Sequence, residues 1–386
     1  MTGRAVRALA LIAVYALATT VGPTSDTAIN DLYVYSVYHD LLQQGYAAYS
    51  GFGFEYPPLA LFPIAVFGGS AWQLGIAMLV CLLATQWCCE ALAGPPAGWL
   101  MALTPLLLGA MVRTHFDALA ALLAIGAMLC LVREHPRWGF ALLAVGGMVK
   151  LWPLALVPVA IVWLVARGQR RAALEGTAIA VAICVVVLAP YPWHGLREAV
   201  RFHQERPVQI ESTPASVLWL ADDSFVTGDP VRPDRFKSNG LDGGPAPTVS
   251  VLFTVLQVLA VLGAAALAAR RRDPRHLVLC CFLAATAFVA LGKVLSPQYL
   301  VWLTPFAAVA WAWGARGPAA LIAAACVLTQ VEFPRRYFDL VAGDDATFAI
   351  VAVRNLALLV AAITLAAGLA RSPSPGRPRA PSPARP

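Results

Sequence analysis

The chain has 386 residues, of which 59% are hydrophobic and only 13% charged. Water-soluble domains carry roughly 25% charged residues, so a single soluble domain is excluded. The net charge of +7 sits in short basic clusters between apolar stretches, which argues against a nucleic-acid partner.

Uncharged runs such as Val249–Ala269 match a hydrocarbon slab of ~30 Å at ~1.5 Å rise per residue. Backbone groups in hydrocarbon must bond within their own segment, so helices are predicted. The alternating segments of ~10 residues that a transmembrane barrel needs are missing. The predicted fold class is therefore all-α, a polytopic transmembrane helical bundle over 1–370.

In chain order, Arg4 and Arg7 precede the apolar run Ala8–Val21. This reads either as a signal peptide or as a retained first helix; the charge map favours the helix. Residues 22–56 hold four acids (Asp26, Asp31, Asp40, Glu55) and no Lys or Arg, and are predicted to form an extracytoplasmic loop. Within it Val34, Val37, Tyr38, Leu41 and Leu42 share one helical face, which predicts an amphipathic interfacial helix over Asp31–Gln44, ended by Gly45.

Twelve further apolar segments follow, from Pro57–Gly69 to Thr347–Ala370. The clusters Arg133–Arg137, Arg167–Arg171 and Arg270–Arg275 should be cytoplasmic by the positive-inside rule. They all land there only if one early segment does not cross. Ala97–Val112 is assigned as re-entrant, because it is short, follows Gly94-Pro95-Pro96 and contains Pro105. About 12 crossings result, with both termini cytoplasmic. A second extracytoplasmic loop spans 191–248, its Gly/Pro-rich second half predicted irregular. The tail 371–386 consists of Arg, Ser, Pro, Gly and Ala and is predicted disordered. The eight cysteines lie in apolar stretches without metal spacing and read as small core residues.

Ionisable residues near hydrocarbon usually have a partner or a task. On the outer side they are Asp31, Glu55, Arg113, His115, Asp117, Lys150, Arg206, Glu211, Lys293, Arg335, Arg336 and Arg354. Acids and bases from distant segments on one face suit a phosphate-bearing ligand and a general base. No metal is assigned, and no nucleotide-binding fingerprint is present.

Several short motifs recur in a familiar order: Asp31-Leu-Tyr-Val-Tyr35, Phe54-Glu-Tyr-Pro-Pro58, His115-Phe-Asp117, Lys150-Leu-Trp-Pro153, Arg206-Pro-Val-Gln-Ile-Glu-Ser212 and Ser296-Pro-Gln-Tyr299. The ordered set resembles glycosyltransferase family 87, of the membrane-embedded GT-C class. That family includes polyprenyl-phosphate-mannose-dependent mannosyltransferases and related arabinofuranosyltransferases. At His115 the pattern departs, since many relatives carry Gln there. The resemblance implies transfer of a sugar, mannose favoured, from a polyprenyl-phosphate donor to a lipid or glycan hydroxyl. The bilayer, the donor and the acceptor are then the partners, and no cofactor is needed.

Under that resemblance Asp31 is the catalytic base, with Asp26 as alternative; the competing reading is a helix N-cap, a role Asn30 also suits. Lys150 would bind the donor phosphate, or snorkel as an interfacial lysine. Arg206 and Glu211 would be a phosphate-binding pair or a loop salt bridge. Gln298 and Tyr299 would bind sugar. Arg335, Arg336, Lys293 and Arg354 would meet phosphate or anchor at the headgroups. Asp117 would pair with Arg113, and Glu55 would line the acceptor entry. A transporter or flippase of a lipid-linked sugar is the alternative function; its charges would lie at the midplane of both halves.

Overall fold

The computed structural model describes residues 2–221, 236 and 238–371. The regular elements of the described chain are helices apart from one two-stranded ribbon. Its helices are α1 (Gly3–Thr20), α2 (Leu32–Gln43), α3 (Leu61–Phe67), α4 (Ala71–Ala93), α5 (Pro95–Leu108), α6 (Met111–Thr114), α7 (Asp117–Val132), α8 (Pro136–Val149) and α9 (Val157–Ala166). There follow α10 (Arg170–Leu188), α11 (Trp193–Glu205), α12 (Thr213–Ala221), α13 (Ala246–Ala268), α14 (Pro274–Ala290), α15 (Leu300–Ala312), α16 (Arg316–Glu332), α17 (Tyr337–Val341) and α18 (Asp345–Arg371). Five of these, α1, α4, α10, α13 and α18, are long and apolar enough to cross a membrane.

Small residues let the rods approach closely. The α7 alanines 118, 120, 121, 124 and 127 are all buried. Gly176 of α10 lies so near the Phe140 ring that a Cβ there would come within 2.5 Å of it. Lipid tails are as apolar as side chains, so such packing, rather than a hydrophobic gain, holds helices together in a bilayer.

One end of the bundle is basic. Arg7 donates to Glu90 from Nε (3.0 Å), joining α1 to α4. Arg167 pairs with Glu134 and donates to the Arg272 carbonyl (3.4 Å). Arg137 pairs with Glu175 at 2.8 Å, and Arg275 lies over the Trp313 ring at 5.6 Å. The three clusters expected to share one side therefore do stand together.

The re-entrant assignment of Ala97–Val112 is corrected. The chain reverses at Gly94 (φ 80°) and α5 begins beside Arg7 and Glu90 at the basic end. It finishes at the opposite end, where the Ala110 amide donates to the Thr24 carbonyl (2.7 Å). Proline costs little at the first helical position, and Pro105 is absorbed within the helix. The segment that stays at one end is instead the 3-10 turn Pro58–Ala60 with α3. It packs against α2, with His39 Nδ1 3.3 Å from the Ile64 carbonyl, and at ~1.5 Å per residue it is too short to span.

The end opposite the basic one is closed by the two loops. Across the second runs α11, whose Gly195 presses on the first loop: a Cβ there would stand 1.8 Å from the Tyr49 carbonyl oxygen. Then β1 (Val208–Gln209) pairs antiparallel with β2 (Gly240–Leu241) in the register Val208 to Leu241. The expected irregular half of this loop thus contains a strand, while 222–235 and 237 lie outside the described residues. Arg371 ends α18 rather than opening the tail; the rest of the tail lies outside the described residues.

Candidate active site

Asp31 stands at the N-cap position of α2, yet its side chain makes no capping bond. Asn30 takes the local role: its Oδ1 accepts from the Leu32 amide (2.8 Å) and its Nδ2 donates to the Thr27 carbonyl (2.5 Å). Side chains of this type commonly bond their own backbone two residues on. The Asp31 carboxylate is left to accept from the Tyr35 hydroxyl (3.2 Å) and to face His115 Nε2 at 3.6 Å. His115 is held from its other side by Thr114 Oγ1, 2.9 Å from Nδ1.

Lys150 ends α8 in an extended conformation. It is only 8% exposed, so the snorkelling reading is corrected. Its Nζ donates to both Asp117 oxygens, at 2.8 and 2.7 Å, and lies 4.6 Å from the Phe116 ring centre. Asp117, in the first turn of α7, also accepts from Trp302 Nε1 at 2.6 Å. The expected Asp117–Arg113 pair is thereby replaced by a pair with Lys150. Among the described residues these two bonds use two of the three ammonium N–H groups.

Trp302 is the middle of an aromatic stack. Tyr299 lies 4.0 Å above it and Trp152 5.2 Å below, at interplanar angles of 19° and 13°. Burial pushes the Tyr299 hydroxyl up to about 12, so it stays a donor at neutral pH.

Arg206 follows α11. Its Nη2 donates to Ser238 Oγ (2.7 Å), while its Nε is buried with no partner among the described residues. An unmet buried donor costs about 1–3 kcal/mol, which an anion would recover. Lys293 does not reach the cavity; it donates to the carbonyls of Gln204 and Arg206, both at 2.8 Å, and so fixes where Arg206 stands. His203 Nε2 donates to the Glu55 carbonyl (2.8 Å), and burial holds this imidazole below the ordinary histidine range.

These groups meet in a cavity of ≈ 210 Å³, walled by Asp31, Glu55, Lys150, Arg206, Gln298 and Tyr299, with Tyr56, Trp152, His203 and Trp302 among the others. A second cavity of ≈ 830 Å³ adjoins it and shares Glu55. Asp31 and Glu55 are the two carboxylates on the first wall. Among the described residues no group of three or more His, Cys, Asp or Glu is placed to hold a metal ion.

Other expected site residues lie elsewhere. Glu211 is buried outside the cavity and bonds Gln209 Nε2 (2.8 Å) instead of Arg206; burial and the neighbouring Glu332 push its carboxyl well above the usual range. Arg354, 1% exposed, neither snorkels nor reaches the cavity. With Asn355 it donates to the Glu211 carbonyl, clamping the second loop to α18. Arg335 pairs with Asp26 at 3.3 Å, and Arg336 is exposed; all three are off the cavity wall. His115 and Asp117 stand one layer behind it. The sequence reading missed Tyr56, His203 and Trp302. The last had a signal: it falls one helical turn after Gln298, on the same face.

A family model described as Glycosyltransferase family 87 matches residues 54–297, more than half of the chain. The match takes in Glu55, His115, Asp117, Lys150, Arg206 and Lys293, and begins after Asp31. No curated protein matches the chain.

Proposed function

Because the chain belongs to glycosyltransferase family 87 and is thereby a membrane glycosyltransferase, we propose that it transfers mannose, or a related hexose or pentose, from a polyprenyl phosphate to a hydroxyl of a lipid or glycan acceptor. The observation that carries this reading is that the Asp31 carboxylate and the cations of Lys150 and Arg206 line one cavity.

In the proposed step Asp31 takes the proton of the acceptor hydroxyl as its oxygen attacks the anomeric carbon. The bond from that carbon to the phosphate oxygen breaks, and its electron pair leaves with the polyprenyl phosphate. Lys150 and Arg206 meet the charge. A phosphate leaves without protonation, so one base suffices, and general-base help is worth about 100–10,000-fold. One-step displacement inverts the anomeric centre, as in single-displacement glycoside chemistry. Gln298 and the Tyr299–Trp302 face are suited to hold the sugar.

By the positive-inside rule the basic end lies in the cytoplasm and the cavity opens outside. The seven shorter rods α5, α7, α8, α9, α14, α15 and α16 would cross with the five long ones, while α3 would not. The test is incubation of the purified protein with radiolabelled polyprenyl-phosphate mannose and polyprenyl-phosphate arabinose, each with membrane lipid extract. Label in a new product is the expected result. Label that only changes leaflet in proteoliposomes would replace the enzyme by a flippase.

A further inference from the structure

Thr114 ends α6, and His115 breaks the chain before α7 with extended backbone at φ −132° and ψ 145°. Both residues are 2% exposed, so the protein rather than bulk water sets their hydrogen bonds. They stand behind Asp31, which faces the cavity from the start of α2.

Counting protons along this line fixes the form of the imidazole. The Ala110 carbonyl already accepts from the Arg113 amide (3.0 Å) and the Thr114 amide (3.1 Å). A carbonyl oxygen has two lone pairs, so both are taken. The Thr114 hydroxyl lies 3.1 Å from that oxygen and finds a better acceptor in His115 Nδ1, at 2.9 Å. The proton on one ring nitrogen is set by the bond that the other makes. With Nδ1 accepting, the neutral ring carries its proton on Nε2, and Nε2 is the atom that faces Asp31 Oδ2 at 3.6 Å. The opposite tautomer would set a bare lone pair against a carboxylate. The gap of 3.6 Å is longer than a formed hydrogen bond, and catalytic contacts of this kind shorten when substrate fills a site.

Asp31 is held by one oxygen only. The Tyr35 hydroxyl donates to Oδ2 (3.2 Å), and His115 faces the same atom. Among the described residues no side-chain donor is placed on Oδ1.

We propose that Thr114 is a positioning residue for the transfer: its hydroxyl donates to His115 Nδ1, this holds the ring's Nε2–H toward Asp31 Oδ2, and Oδ1 is the oxygen that takes the acceptor's proton. The inference deepens the glycosyltransferase reading above and rests on it for the reaction, while the state of the ring is measurable without turnover. The acceptor O–H bond breaks, an Oδ1–H bond forms, and the ring nitrogens keep the protons they held. His115 is thus neither acid nor base in the step. A glutamine amide in its place offers an N–H to Oδ2 but has no second ring nitrogen for Thr114 to hold.

The full-length protein, isotope-labelled at histidine nitrogens and placed in nanodiscs, is read by nitrogen NMR at neutral pH. His115→Gln identifies the His115 signals among those of the six histidines. Wild type should show Nε2 protonated and Nδ1 accepting a hydrogen bond; in Thr114→Val the Nδ1 signal should move to that of a bare lone pair. Transfer from radiolabelled polyprenyl-phosphate mannose or arabinose to membrane lipid extract should fall about two- to tenfold in Thr114→Val, the worth of one neutral hydrogen bond, with kcat rather than donor KM carrying the loss. Thr114→Ser should restore it. Beside His115→Gln the same Thr114→Val should cost less than about twofold, because residues acting in one line are not additive. Wild type with Nδ1 protonated, or with both nitrogens protonated, overturns the inference. So does a Thr114→Val variant that transfers as wild type does, or one that loses as much beside His115→Gln as alone. The expected ring state without transfer from either lipid donor supports the hydrogen-bonded line and removes the proposed donor instead.

Discussion

Lys150 and Asp117, 33 residues apart, form a buried ion pair at 2.7 Å where α8 ends and α7 begins. The pair ties the cation on the cavity wall to a carboxylate that also holds Trp302, so one buried group sets both the charge and the aromatic floor of the site. Removing one partner of such a pair strands the other in low dielectric, at about 3–5 kcal/mol, whereas replacing both is close to neutral. Asp117→Asn and Lys150→Met should each lower the thermal midpoint in detergent, and the double variant should recover most of the loss. Fully additive single effects would show that the two side chains act independently.

Asp31 makes no structural bond that a helix needs, since Asn30 takes the local turn. Asp31→Asn should therefore reduce transfer by about 100–10,000-fold while the thermal midpoint moves less than about 0.5 kcal/mol in stability terms. A purely structural Asp31 would give the reverse pattern. His115→Gln keeps an N–H able to face the carboxylate and should retain most turnover, whereas His115→Ala should lose it about tenfold through misplacement of Asp31.

Arg206 and Lys293 separate binding from positioning. Arg206 has an Nε–H unmet among the described residues, while Lys293 donates to backbone carbonyls. Arg206→Ala should raise donor KM by at least about tenfold, the worth of a charged hydrogen bond, and Arg206→Lys should restore part of it. Lys293→Met should shift donor KM in the same direction by less. A larger effect at Lys293 than at Arg206 would relocate the anion.

The outer loops were legible in the sequence where a periodicity or a charge count applied, and illegible where tertiary partners decided. The face Val34–Val37–Tyr38–Leu41–Leu42 found α2 to within a residue at each end. The ordered motifs named Lys150 and Arg206, which a lone reading of either would not single out. Partner choice was another matter: Asp117 lies four residues from Arg113, a helical spacing, but α6 and α7 are broken at His115 and the carboxylate turns to α8. Ala97–Val112 was misread because Pro105 and the Gly-Pro-Pro run signal breakage, whereas they start α5 and are tolerated inside it. Arg354 and Glu211 were placed in the site by proximity to the outer face, and only packing shows them fastening the loop to α18.

His203 gives a pH dependence with a definite sign. Its folded imidazole is held below the ordinary value of 6.5, chiefly by burial, so the folded state favours the neutral ring. Above 6.5 the ring is neutral folded or unfolded, and the contribution is complete. As pH falls below 6.5 the unfolded chain binds the proton first, and stability is lost by up to about 1.4 kcal/mol per pH unit for one proton. Wild type should unfold more readily at pH 5.5 than at pH 7.5, and His203→Gln should flatten that difference. A slope unchanged by the substitution would assign it to another group.

The reversal of α3 and α5 relative to the sequence reading is open to a direct chemical test. Ala71 opens α4 at the end occupied by the cavity, and Pro95 opens α5 at the basic end; both are exposed. The native cysteines are buried or half-buried, so single additions stand out against them. In sealed cells Ala71→Cys should react with a membrane-impermeant maleimide and Pro95→Cys should not. In inverted vesicles the pattern should exchange. Were α5 re-entrant and Pro58–Phe67 a full crossing, Ala71→Cys would be shielded in cells, because one crossing moved ahead of α4 turns its first residue to the cytoplasm. The two arrangements thus predict opposite labelling at Ala71, and the contacts of Gly98 with Glu90 and of Ala110 with Thr24 predict the first.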